Sequence, residues 1–184
     1  MPKIAITGNI AAGKSVVEDI LKSKGYQVYD TDKMTHELLD SLETVRNAFK
    51  DYDVFENGKI SRKKLGVLVF SDEKLLMLLE SIIHPKIQEA IESLSDGVFV
   101  SVPLLFEAEM ESLFDKIIFV SADENIRLKR LMARNSFTEQ EAMIRIKAQD
   151  SEEDKKQKSD YIIVNNGTFE EVVEQINIIL QDLF

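Results

Sequence analysis

The 184-residue chain contains no cysteine and only two histidines. The first absence excludes disulfides and thiolate metal sites, and the second leaves too few ligands for a structural zinc site. No apolar stretch approaches the ~20 residues that a membrane-spanning helix needs. The first strand candidate starts at Lys3, leaving no space before it for a cleaved leader, so a cytoplasmic location is expected. Positive charge is also scarce: 23 Lys and Arg stand against 33 Asp and Glu, a formal net charge of −10. That balance argues against a broad nucleic-acid surface. Repeats, low-complexity tracts and linkers are missing too. What remains is ordinary for a globular chain, 44% hydrophobic and 30% charged, and the length fits one domain with room for an insertion.

The most informative stretch is Gly8-Asn9-Ile10-Ala11-Ala12-Gly13-Lys14-Ser15, a G-x-x-x-x-G-K-S phosphate-binding loop. It follows a short apolar run fit for a buried strand and precedes a segment with helical apolar spacing. That order is required by the chemistry, because loop N–H groups and the positive end of the next helix must converge on an anion. Gly8, Ala11, Ala12, Gly13, Lys14, Ser15 and Val16 are the expected ATP-binding residues. Lys14 would reach the β- and γ-phosphates, and the Ser15 hydroxyl would ligate Mg²⁺. A protein this acidic that binds polyphosphate has to gather its cations locally.

Strand-like runs recur at residues 4–7, 27–29, 98–102, 116–120 and 161–164, separated by helical patterns at 14–24, within 61–95, and at 123–134, 138–148 and 169–183. This alternation predicts an α/β fold, a parallel five-stranded sheet flanked by helices, of the P-loop NTPase type. The interval before Val98 has no convincing strand but carries helix-period apolar residues, which predicts a helical substrate-binding insertion over about residues 33–96. Asn57-Gly58 reads as a turn, Ser61 as an N-cap, and Pro85 as a kink or restart of its helix. Glu152, Glu153 and Asp154 ahead of Lys155, Lys156 and Lys158 read as a solvated helix with i,i+4 pairs.

Asp30 and Asp32 follow the second strand, where a carboxylate could accept a proton from an attacking hydroxyl. On an extended chain the two would point in different directions and divide the tasks; Asp32 could also cap a helix starting at Lys33. Glu107 is the first charge after ten uncharged residues and should emerge at a strand's carboxyl end. Arg127, Arg130 and Arg134 share one helix face at i, i+3, i+7, and Arg145 follows a turn. A helix–arginine turn–helix over about residues 127–150 is what a lid closing on phosphates needs.

Together these residues resemble the dephospho-coenzyme A kinases. The resemblance covers nearly the whole chain: the P-loop, Val28 to Asp32, Asn57-Gly58 with Ser61 to Leu65, Ile83-His84-Pro85, and Val102-Pro103-Leu104-Leu105-Phe106-Glu107. It continues through Arg127 to Arg134, Arg145 to Gln149, and Asp160-Tyr161-Ile162-Ile163-Val164-Asn165-Asn166-Gly167. It implies ATP-dependent phosphorylation of the ribose 3′-hydroxyl of dephospho-coenzyme A, with Mg²⁺. It further implies Asp32, Lys14 and Arg134 as catalytic residues, and Asn165, Asn166 and Gly167 beside the adenine. Asp30, Arg62, His84, Glu107 and Arg145 would bind the acceptor. A monomer is expected, with an oligomer left open and no nucleic-acid or membrane partner. Another small-molecule P-loop kinase, such as a nucleoside monophosphate kinase, is the alternative; a GTP-dependent switch would carry N-K-x-D and D-x-x-G, which this chain lacks. The chain departs from the family pattern at Asn9 and Ala11, where glycine is usual, and at His36, where arginine is usual. Ala11 is tolerable there only at negative φ, whereas Asn9 could take the left-handed region.

Overall fold

A computed structural model describes residues 1–184, the side chain of Asp40 excepted. The chain divides into two compact units, one of Met1–Asp30 with Leu94–Phe184 and one of Thr31–Ser93.

The first unit is built on five parallel strands: β1 (Ile4–Gly8), β2 (Val28–Asp30), β5 (Phe99–Ser101), β6 (Lys116–Ser121) and β7 (Tyr161–Val164). Their order in the sheet is β2-β5-β1-β6-β7. Every residue of β1 is buried, as expected of a central strand covered on both faces. Helices α1 (Lys14–Ser23) and α9 (Phe169–Leu183) cover the sheet. Their Val17, Ile20, Leu21, Val172 and Ile176 pack with Ile4, Ile6, Phe99, Ile118 and Ile163. A smaller core joins α6 (Glu124–Asn135) to α7 (Glu139–Lys147) through Leu128, Leu131, Ala142 and Ile146. Ile10 and Ala11 of the P-loop pack against that second core, so the loop shares apolar surface with the helix pair that follows β6. The short helix α8 (Glu152–Gln157) precedes β7.

The second unit contains α2 (Thr31–Ser41), α3 (Glu43–Ala48), α4 (Arg62–Ser71) and α5 (Glu73–Glu92). It also contains a feature unexpected from the sequence, an antiparallel hairpin of β3 (Phe55–Glu56) and β4 (Lys59–Ile60). Two-residue strands are too short to show a period of two. The Asn57-Gly58 turn expected there joins them, both residues at positive φ, as a tight two-residue hairpin requires. Ser61 occupies the N-cap of α4 but makes no side-chain cap bond. Pro85 does not restart a helix: α5 runs through it, with Ile83 and Ile87 buried on either side. Burial of that apolar stripe offsets the hydrogen bond that proline removes. Among the described residues, no helix is long and apolar enough to cross a membrane.

Candidate active site

The P-loop leaves the carboxyl end of β1, the strand from which neighbouring connections run to opposite sides of the sheet. In open α/β sheets ligands bind at this reversal. Gly13 is the N-cap of α1, at φ 102, and no side chain caps that helix. Its first N–H groups are therefore those an anion would take. Gly13 is required twice over, since a Cβ would be strained at this φ and would lie 2.0 Å from Asn165 Nδ2. Ser15, exposed at the second position of α1, offers a hydroxyl to a cation. Among the described residues no three His, Asp or Glu side chains gather into a metal set. A cation here would be held by that hydroxyl, water and phosphate oxygens, a donor set suited to Mg²⁺.

Ala11 departs from expectation. It adopts φ 60, the left-handed region, whereas Asn9 is not among the residues with positive φ. At that φ Ala11 packs against the α6–α7 core. Asn9 is buried for another reason: its Oδ1 accepts from Lys155 Nζ at 3.1 Å. The same ammonium donates to Glu107 Oε1 at 2.5 Å, with the lysine side chain 5% exposed.

That contact corrects the reading of residues 151–159 as a solvated helix. Lys155 points into the protein, and Glu152 accepts from Ser121 Oγ at 2.5 Å and pairs with Arg127 Nη2 at 3.4 Å. The i,i+4 pair Lys156–Glu152 is present at 3.0 Å, but it lies beside an interior network. Burying charges is tolerable only when each is paired and hydrogen-bonded, which is the arrangement seen. The Glu107 carboxylate thus faces a lysine of α8 and sits close to the P-loop's own side chain Asn9.

The four arginines differ in burial and in partners. Arg127 is 6% exposed and donates from Nε to the Ala122 carbonyl at 3.1 Å; its Nη1 is buried with no hydrogen-bond partner among the described residues. Arg130 donates to the carbonyls of Ala12 at 3.2 Å and Asn165 at 3.0 Å. Arg134 is exposed at the end of α6 and donates to Asn135 Oδ1 at 2.9 Å. Arg145 on α7 lies over the Phe137 ring at 4.0 Å from its centroid and donates to the Glu141 carbonyl at 3.0 Å. Of these four, Arg134 and Arg145 are the exposed residues.

Asn165 rather than its neighbour meets the P-loop: its Nδ2 donates to the Ala12 carbonyl at 2.8 Å. Asn166 exchanges two 2.8 Å hydrogen bonds with Asp123. Gly167 lies against Glu171, whose carboxylate closes the α9 capping box; a Cβ there would be 1.7 Å from Oε2. Gln149 accepts from the Ile10 N–H at 2.7 Å. Sequence reading gave Gln149 no role of its own, put Arg130 on the lid face and Lys155 on a solvated helix, and set Asn165 near the adenine; the structure ties all four to the P-loop. Asp30 is the last residue of β2, beside Ser101 of β5. Asp32 does not cap a helix at Lys33, since α2 begins at Thr31 and Asp32 lies inside its first turn. The two carboxylates therefore sit on a strand end and a helix start, not on one extended segment. In the second unit, Arg62 opens α4 and His84 lies half-buried on α5.

A parallel sheet bearing a G-x-x-x-x-G-K-S loop at its central strand defines the P-loop nucleotide-binding class. The family model for dephospho-CoA kinase matches residues 3–171. A dephospho-CoA kinase of Carboxydothermus hydrogenoformans is 41% identical, aligned over 98% of this chain and 94% of its own length. One from Oceanobacillus iheyensis is 36% identical over 97% and 96%. Among solved structures, dephospho-CoA kinase from Campylobacter jejuni superposes with a TM-score of 0.75 at 28% identity, covering 98% of this chain and 96% of that one. Shikimate kinase from Bacteroides thetaiotaomicron, at 14% identity and a TM-score of 0.61 over 97% of this chain and 98% of that one, shares the fold. The chain belongs to the dephospho-CoA kinase family, and by that membership it is a nucleotide-binding phosphotransferase.

Proposed function

We propose that this chain transfers the γ-phosphoryl group of ATP to the ribose 3′-hydroxyl of dephospho-coenzyme A, giving coenzyme A and ADP. The observation that supports this most is a phosphate loop with a glycine-capped helix start in a chain whose family match spans residues 3–171. The 3′-oxygen attacks the γ-phosphorus, the bond to the β,γ-bridging oxygen breaks, and ADP leaves with that electron pair. Asp32 takes the proton from the 3′-hydroxyl. Lys14 and the N–H groups at the start of α1 hold the β- and γ-phosphates. Bound at the Ser15 hydroxyl, Mg²⁺ supplies neutralisation of phosphate charge. Arg134 stabilises the charge of the transferring group, and Asn166 and Gly167 lie beside the adenine. Asp30, Arg62, His84, Glu107 and Arg145 bind the acceptor, Glu107 while paired to Lys155. The protein acts as a monomer in the cytoplasm, where ATP is available, with residues 33–96 receiving the acceptor and residues 127–150 closing as a lid.

The test is a panel of acceptors, dephospho-coenzyme A, AMP, CMP and shikimate, each with ATP and Mg²⁺. ADP should form rapidly with dephospho-coenzyme A, and the new phosphate should be a 3′-monoester by phosphorus NMR. Faster turnover of a nucleoside monophosphate or shikimate would overturn the assignment.

A further inference from the structure

The Ala12 carbonyl accepts from two side chains at once, Asn165 Nδ2 at 2.8 Å and Arg130 Nη1 at 3.2 Å. These donors are themselves locked together: Arg130 Nη2 reaches the Asn165 backbone carbonyl at 3.0 Å and its Oδ1 at 3.4 Å. Asn165 is 6% exposed, and its amide occupies the space that a Cβ on Gly13 would fill. The arrangement thus depends on glycine at position 13.

The peptide between Ala12 and Gly13 is planar and trans, so its C=O and N–H point in opposite directions. Fixing the carbonyl toward Arg130 and Asn165 fixes the Gly13 N–H on the other side. In a loop of this kind that N–H is one of the donors aimed at phosphate. A free peptide could rotate and present its carbonyl oxygen to the anion, which would repel it. Preorganised donors stabilise developing charge because no reorganisation is needed when the charge moves.

We infer that Arg130 and Asn165 are positioning residues that set the direction of the Gly13 N–H and so prepare the phosphate cradle before nucleotide arrives. They act through the Ala12 carbonyl and not by touching phosphate. Gln149 on the Ile10 N–H and Lys155 on Asn9 brace the preceding turn of the same loop. This inference rests on the reading of the P-loop as the ATP phosphate site, and it leaves the identity of the acceptor open.

The experiment compares full-length wild type with Arg130→Met, Arg130→Lys and Asn165→Ala, using ADP·Mg²⁺ as the probe. The readouts are the Gly13 amide resonance in ¹⁵N-labelled protein, ADP affinity by calorimetry, and kcat. In wild type the Gly13 amide proton should move downfield on ADP binding. In Arg130→Met and Asn165→Ala that response should be lost or much reduced, and kcat should fall about 10²-fold, as when one preorganised donor is removed. Arg130→Lys keeps a charge but lacks the planar fork whose two NH2 groups reach the Ala12 and Asn165 carbonyls separately, so it should fail in the same direction. If Arg130→Met does not fold, Arg130→Lys decides by the same amide response. A wild-type Gly13 response in Arg130→Lys and Asn165→Ala overturns the inference, even if kcat falls. If wild type binds ADP but does not phosphorylate dephospho-coenzyme A, the acceptor assignment fails while the amide response still decides the positioning role.

Discussion

Helix α6 carries arginines near both ends, and they inhabit different environments. Near its start, Arg127 is 6% exposed and Arg130 is tied to two backbone carbonyls. At its last turn, Arg134 is exposed and bonded to the adjacent Asn135. The same residue type at i, i+3, i+7 therefore supplies internal bracing at one end and a solvent-exposed cation at the other. An arginine held by carbonyls has little freedom to follow a moving phosphate, while one at a helix end does. The lesson extends to the lysines: Lys14 stands in the loop, Lys155 is 5% exposed beneath it, and Lys129 is exposed on α6.

The largest effect expected on either side of this contrast is at Lys14. Lys14→Ala should remove essentially all phosphoryl transfer, by roughly 10³-fold or more, while leaving the circular dichroism and Tm unchanged, because charge opposite the phosphates is lost with little packing. Near wild-type activity would place Lys14 outside the site.

Next comes the buried cation. Lys155→Met leaves the Glu107 carboxylate without its ammonium and should destabilise by about 3 kcal/mol, lowering Tm by roughly 6–12 °C for a chain of this size. The control Lys129→Met should change stability by less than about 0.5 kcal/mol. Equal shifts in thermal denaturation would erase the distinction between interior and surface lysines.

Arg134→Ala should do the reverse of Lys155→Met, leaving Tm alone and lowering kcat and kcat/KM together by about 10²-fold, the mark of an interaction made in the transition state. Steady-state kinetics with ATP as the varied substrate checks this. A raised KM with kcat intact would make Arg134 a ground-state contact.

A smaller effect concerns the loop backbone. Ala11 sits at φ 60, which costs an L-residue about 1–2 kcal/mol, against under ~0.8 kcal/mol for its half-buried methyl. Ala11→Gly should therefore raise stability by roughly 0.5–1 kcal/mol in urea denaturation. A loss of stability would mean that the contact with the α6–α7 core dominates.

The smallest effect is at the sheet edge and depends on pH. Partial burial works to raise the Asp160 pKa, but the hydrogen bond from Lys116 at 2.7 Å and that from the Ile117 N–H at 2.8 Å outweigh it and hold the carboxyl below its ordinary range. A depressed folded-state pKa gives stability that is present above the unfolded value and lost as pH falls through the folded one. Asp160→Asn should lower Tm modestly at neutral pH, and the gap should close as pH drops below about 4. A gap that is constant with pH would mean that shape, not charge, is at work.

The sheet and the phosphate loop were legible because their signals are local. Buried parallel strands read as unbroken apolar runs, and the G-x-x-x-x-G-K-S spacing is its own signature. The braces around the loop were not, because each owes its role to a partner far along the chain. In Glu152-Glu153-Asp154-Lys155-Lys156, nothing nearby marks Lys155 as interior; its partners Glu107 and Asn9 are 48 and 146 residues away. Ala11 misled too, since its backbone preference argued for negative φ, whereas the folded loop holds it at φ 60. Pro85 argued for a helix break until the buried isoleucines on both sides held α5 continuous.

The spacing of those braces has a consequence for biosynthesis. The loop is translated among the first fifteen residues, yet Arg130, Gln149, Lys155 and Asn165 contact it across separations of 118, 139, 146 and 153 residues. Even the strands beside β1 come from Phe99 onward. At ribosomal speeds of about 5–20 residues per second, the loop waits many seconds for its supports. During that interval, β1 and the phosphate loop at its end are a strand without neighbours. A nascent chain arrested before Asn165 should therefore be blind to nucleotide, although every residue of its phosphate motif has already been made.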